Sequence, residues 1–215
     1  MLLDNRVKDF IDVLASNQPI PGGGGACALV GALGDALGLM VANLTIDKPK
    51  YHEAREELIK ARERLEAIRS DLMHLVDEDA EAFKPLSEVY KMPRDTQAQI
   101  HEREVKMEQA LVKAGGVPLQ IMESLYETMP YIELMARKGS PLALSDAGVA
   151  ILFIQSAIEG AALNVYINTS VMKNRSLANE YNQRAQTLIE TGKLIKERVN
   201  DYVLARLAPQ EHNDE

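Results

Sequence analysis

Apolar residues recur at intervals of three and four along most of the chain, and no segment alternates strictly between hairpin turns, so the pattern predicts helices only. Val7, Phe10, Ile11 and Leu14 share one face of a short first helix over residues 6–16, which Pro19 and Pro21 stop. Residues 26–44 are apolar except for Asp35 and Asn43, the mark of a helix buried on all sides, which is predicted over 26–46. Pro49 ends that stretch, because it disfavours helix in the residue before it. From Tyr51 to about Val89, Leu58, Leu65, Ile68, Leu72, Leu75 and Leu86 keep a seven-residue rhythm while Glu, Lys and Arg fill the outer face; Pro85 should kink the end. Met92-Pro93-Arg94-Asp95 reads as a turn, with Asp95 as N-cap of a helix running to about Ala114. Gly115-Gly116-Val117-Pro118 is expected to interrupt it before a further helix to Arg137, bent near Pro130. Ser145-Asp146 would cap a helix over 146–172, and a last helix covers 176–207. The expected fold is all-α, an up-and-down bundle of long antiparallel helices forming one domain over 1–215.

Composition supports this. With three Phe, seven Tyr and no Trp in a chain that is 46% hydrophobic, Leu, Ala, Val and Ile must build the core. A net charge of −8 argues against a nucleic-acid partner, which needs a basic stripe to displace counterions. One cysteine, Cys27, excludes an internal disulfide, and the first residues lack a signal-peptide core, so the expected location is the cytoplasm. Residues 26–44 are the one candidate membrane span, but Gly31, Gly34 and Gly38 and the lack of a second span favour a core helix, with no membrane partner. Gly34 and Gly38, four residues apart, would admit another helix at close range.

Three features break the pattern. Asp79 stands in the apolar heptad column of Leu65, Leu72 and Leu86, where a carboxylate is costly to bury and its pKa tends to rise. It suits either a general acid or base, or a buried structural carboxylate. Asp77, Glu78 and Glu81 fall off the stripe onto a solvated face. Asp77, Asp79, Glu81 and Glu88 match part of a calcium-loop template, but Ala82 replaces the required glycine. His52, His74, His101 and His212 form no zinc motif and read as surface residues. Asp146 and Asn164, eighteen residues or five turns apart, share a face with Phe153, Ala157 and Gly160, and Asn168 follows a turn later. Either small residues leave room there for a ligand, or they permit tight packing while the amides bond across it. Finally, the run Gly22-Gly23-Gly24-Gly25 before a helix leaves backbone N–H groups for an anion or a polar ring edge, or is simply a tight connection. Cys27, in the first turn after it, could be a dipole-activated thiolate or a small core residue.

The ordered set Pro21-Gly22-Gly23-Gly24, Leu75-Val76-Asp77-Glu78-Asp79-Ala80-Glu81-Ala82-Phe83, Val117-Pro118-Leu119, Ser145-Asp146-Ala147-Gly148-Val149-Ala150 and Glu159-Gly160-Ala161-Ala162-Leu163-Asn164-Val165 resembles the cyclodeaminase/cyclohydrolase family of folate enzymes. The resemblance implies a dimeric all-α bundle acting on one-carbon tetrahydrofolates without metal or redox cofactor. The expected reaction is the cyclodeaminase one, 5-formiminotetrahydrofolate to 5,10-methenyltetrahydrofolate plus ammonia. The alternative is cyclohydrolase opening of the methenyl compound to 10-formyltetrahydrofolate, and a non-catalytic helical scaffold is the alternative of another class. The resemblance also implies a catalytic aspartate in the Asp77–Asp79 segment, with Asp79 favoured by the stripe. Gly22, Gly23 and Gly24 become substrate contacts, as do Ser145, Asp146, Asn164 and Asn168. Lys48 and Lys50, beyond the far end of the glycine-led helix, are inferred to meet glutamate-tail carboxylates. The chain departs from the family at Gly25, where a serine is frequent.

Overall fold

The structure, a computed structural model, describes residues 2–4 and 6–207. Among these there is no strand. Six α-helices run in order: α1 (Val7–Leu14), α2 (Gly23–Asn43), α3 (Arg55–Tyr90), α4 (Gln97–Lys138), α5 (Leu144–Thr169) and α6 (Arg175–Leu207). The long members pack as an up-and-down bundle with α2 against α3, α4 and α5, and α6 against α4 and α5. Leu58, Leu65, Ile68, Leu72, Leu75 and Leu86 of α3 are all buried, so the heptad column is the core face of that helix.

Helix α2 lies in the centre because its inner positions are small. A Cβ at Gly31 would stand 2.1 Å from Leu125, and one at Gly38 2.3 Å from Ile132. Gly34 instead abuts Ile154 and the Ala150 carbonyl. The Gly34/Gly38 pair therefore serves two neighbours, α5 and α4, rather than one.

Several boundaries differ from the sequence expectation. Only Phe10 of α1 is buried, while Val7 and Ile11 are exposed. A 3-10 segment, Pro49–Ala54, precedes α3, which starts at Arg55. Thr96, not Asp95, is the N-cap of α4: its hydroxyl accepts from Gln99 N, and Gln99 Oε1 accepts from Thr96 N at 3.0 Å. Ser145 and Asp146 do not cap α5, since the N-cap is Ala143 and both residues sit inside the first turn. The largest difference is that α4 runs unbroken through Gly115-Gly116-Val117-Pro118 and Pro130. Pro118 has no N–H to give the Ala114 carbonyl four residues back. Asn168 of α5 supplies that donor, its Nδ2 reaching Ala114 O at 3.1 Å. Packing from a neighbouring helix thus heals the break.

Two stretches, α2 and Pro141–Thr169, are long and apolar enough to cross a membrane, where the sequence reading found one; 56% of each lies inside the bundle. His52, His74 and His101 are exposed, and His212 lies outside the described residues.

Candidate active site

Gly22 is the N-cap of α2 and has no side chain with which to cap it. The missing acceptor comes from another helix: Asp79 Oδ2 of α3 accepts the N–H of Gly25 at 2.9 Å. The carboxylate lies flat against the glycine run. A Cβ at Gly24 would stand 2.1 Å from Asp79 Oδ1 and 2.6 Å from its Cγ. On the other side of the run, a Cβ at Gly23 would touch both Asn164 side-chain ends, at 3.2 and 3.3 Å. The glycines are thus the space in which a carboxylate and an amide approach one helix start.

These residues form one wall of a cleft of about 240 Å³ at the end of the bundle. Gly22, Gly23, Asp79, Asn164 and Asn168 supply its polar groups, and Phe83, Tyr90, Pro118, Ile167 and Val171 its apolar ones. Burial pushes the Asp79 carboxyl above its ordinary range, partly offset by the Gly25 N–H. A carboxyl held above its ordinary range is a stronger proton acceptor than a free aspartate, which suits it to take up and return a proton.

The remaining expected residues are placed as follows. Asn164 Nδ2 donates to Gly160 O at 3.1 Å. Asn168 Nδ2 donates to Ala114 O and, at 2.7 Å, to Asn164 O, so its amide nitrogen is committed to the scaffold. Asp77 is not on a solvated face: it is half-buried, its Oδ1 accepts Leu2 N at 2.7 Å, and its Oδ2 is buried without a hydrogen bond. Cys27 is no thiolate, because burial and then the Asp79 charge push its thiol up to about 11. Its sulfur fills the notch at Gly160, where a Cβ would come within 2.7 Å.

Lys48, Lys50, Ser145 and Asp146 are not in this cleft. Twenty-one residues of α2 separate Gly23 from Asn43, about 30 Å at 1.5 Å per residue, and the lysines lie beyond that end. Ser145 and Asp146 begin α5, which runs antiparallel to α2, about 27 Å before Asn164. One small ligand cannot lie between Asp146 and Asn164; the intervening face of α5 is packed by α2 at Ile154, Phe153 and Gly160.

Two features escaped the sequence reading. Phe83, Leu86 and Tyr90 follow Asp79 at helical spacing and build the cleft's apolar wall, a pattern of which the sequence reading used only Leu86, as a core position. Asp35 is fully buried in α2 with neither carboxyl oxygen hydrogen-bonded, and desolvation raises it to about 8 against the pull of Arg69. Its sequence signal was a single charge in an apolar helix. Among the described residues no group of three or more His, Cys, Asp or Glu could hold a metal ion.

Comparison with known proteins gives consistent matches. Residues 6–187 match the family model described as formiminotransferase-cyclodeaminase. A methenyltetrahydrofolate cyclohydrolase of Methylorubrum extorquens is 37% identical over 95% of this chain and 98% of its own length. A formimidoyltransferase-cyclodeaminase of Mus musculus is 29% identical over 89% of this chain, which spans 36% of that longer protein. The solved structure of a formiminotetrahydrofolate cyclodeaminase from Thermotoga maritima superposes with a TM-score of 0.79 at 25% identity, covering 96% of this chain and 98% of that one.

Proposed function

We propose a reaction for this chain, which belongs to the formiminotransferase-cyclodeaminase family and is an enzyme of folate one-carbon chemistry: the hydrolytic opening of 5,10-methenyltetrahydrofolate to 10-formyltetrahydrofolate. The sequence expectation put the cyclodeaminase first. What favours the hydrolytic reading is that the cyclohydrolase relative is more similar, 37% against 29% and 25%, and is matched nearly end to end. The observation that carries an acid–base reaction is the desolvated carboxyl of Asp79, fixed by Gly25 N–H on the wall of a mostly apolar cleft.

In this reading Asp79 takes a proton from water as its oxygen bonds to the methenyl carbon. The tetrahedral adduct then breaks its bond to N5, and Asp79 returns a proton to N5. One water is consumed and one proton is released, leaving the formyl group on N10. The positive end of α2, with the Gly23 and Gly24 N–H groups, stabilises negative charge developing on the incoming oxygen. The cyclodeaminase is the second reading, supported by the end-to-end structural likeness to the Thermotoga protein. The same carboxyl would deprotonate N10 and protonate departing ammonia.

Following the methenyl chromophore with each folate separates the two. Enzyme-dependent loss of absorbance from the methenyl compound identifies the hydrolytic reaction. Gain of absorbance with ammonia from the formimino compound identifies the cyclodeaminase. Silence with both refutes the folate reading. A cytoplasmic homodimer is part of the proposal.

A further inference from the structure

The buried apolar side chains fall into two clusters. The larger fills the body of the bundle, and a smaller one, Leu86, Ala110, Leu111, Ala114, Met172 and Ala178, lies at the cleft end. Helix α3 crosses from one to the other at Pro85, between Ala82 and Leu86, and α4 crosses at Gly115-Gly116, between Ala114 and Val117. Both helices therefore carry residues unfavourable to a helix interior at the same boundary. Residues 86–114, between these two points, are a hairpin made of the end of α3, a turn and the first part of α4. The hairpin gives the cleft Leu86, Tyr90, Leu111 and Ala114, whereas Gly22, Gly23, Asp79, Pro118 and Asn164 belong to the body.

Packing accounts for the other glycines inside helices but not for Gly115 and Gly116. Beyond the first turns, Gly31, Gly34, Gly38, Gly148, Gly160 and Gly192 each sit where a Cβ would meet a neighbouring atom at 3.0 Å or less. A Cβ at Gly115 would find Asn168 and Tyr181 at 3.5 Å, and one at Gly116 the Tyr181 hydroxyl at 3.5 Å, which is ordinary contact. Neither glycine has a positive φ, and neither lines the cleft, so no turn and no ligand requires them. Alanine would fit both positions and suit a helix better. What glycine adds is freedom to bend. At the same level Pro85 and Pro118 have no N–H to give the carbonyls of Glu81 and Ala114, and Asn168 bridges the second gap from α5. The hairpin is tied to the turn between α5 and α6 at the surface, where exposed Glu108 accepts Lys173 N at 2.7 Å and Asn174 N at 2.8 Å.

We propose that residues 86–114 are a lid: the hairpin tilts about Pro85 and Gly115-Gly116, carrying the cleft's apolar wall onto and off a bound ligand while Asp79 stays fixed to α2. The motion does not depend on which ligand is bound; its effect on turnover rests on the folate reading.

Amide hydrogen exchange on the full chain, read by mass spectrometry, tests the motion without substrate. Amides over 102–114 are expected to exchange roughly ten-fold or more faster than those over 119–136, although both stretches belong to one helix. Gly115→Ala/Gly116→Ala and, separately, Pro85→Ala should raise the melting temperature and slow exchange over 102–114. With whichever folate the wild type turns over, both variants should lower kcat roughly three-fold or more while the single-turnover rate stays near wild type, because product release waits on the lid. Equal exchange in the two stretches of wild type overturns the proposal. So do stabilised variants that turn over at the wild-type rate, or a destabilised Gly115→Ala/Gly116→Ala, since packing would then be the reason for the glycines. An active wild type with equal exchange leaves the folate reading standing without the lid. A protein silent with both folates, in which exchange over 102–114 is fast and the variants slow it, keeps the lid and refutes the folate reading.

Discussion

Asp35 gives the sharpest test of the energetics. Its carboxyl is fully buried between Gly31 and Gly38 in the central helix, with neither oxygen hydrogen-bonded, and it stays protonated up to about 8 against an ordinary 3.8. The unfolded chain releases that proton near the ordinary value, so stability is highest below it, is lost as pH rises towards 8, and then levels off. At pH 8 the full difference is about 6 kcal/mol, an upper bound because rearrangement around the charge and the attraction of Arg69 relieve part of it. At pH 5 it is only about 1.5 kcal/mol. Asp35→Ala removes the ionisable group and leaves a small hole, costing about 1 kcal/mol or less.

Wild type and Asp35→Ala are therefore expected to be close in stability at pH 5 and to diverge by up to about 4 kcal/mol in favour of the variant by pH 8. Asp35→Asn should share the altered pH dependence but be less stable than the alanine form, because its amide buries additional unsatisfied donors. Urea unfolding by circular dichroism at fixed protein concentration, from pH 5 to 8.5, measures this. Subtracting variant from wild type cancels other titrating groups, Asp79 among them. Parallel curves, or a wild type that gains on the variant as pH rises, would refute the reasoning.

Asp79→Asn keeps an acceptor for Gly25 N–H but cannot move a proton, so turnover should fall about a hundred- to ten-thousand-fold with the fold intact by circular dichroism; retained turnover removes Asp79 from the mechanism. In wild type, kcat/KM should decline as pH drops through the raised Asp79 pKa, because the base form is lost. Gly24→Ala places a methyl against the carboxylate and should abolish turnover and lower the melting temperature, whereas Gly25→Ser has ordinary room, with a Cβ 3.8 Å from Asp79 Oδ2. Its hydroxyl can donate to that oxygen, so the acid limb of the pH profile should move to lower pH. Asn168→Ala orphans the Ala114 carbonyl opposite Pro118 and should cost about 1–3 kcal/mol in urea unfolding, even though Asn168 lines the cleft.

The legible part of this protein was what a single helix can report about itself. The heptad column of α3 named its own core and, by interruption, pointed to Asp79, because burial on one face follows from 3.6-residue periodicity alone. What stayed hidden was set between helices. Gly-Gly-Val-Pro at 115–118 is a helix breaker by local rules, and nothing within α4 shows that Asn168, fifty residues on, donates to the carbonyl Pro118 leaves open. The same bond accounts for Asn168 itself, which looked like a ligand group and whose amide nitrogen holds the scaffold. Asp146 and Asn164 illustrate the converse error: sharing a helix face says nothing of separation, and five turns put them about 27 Å apart.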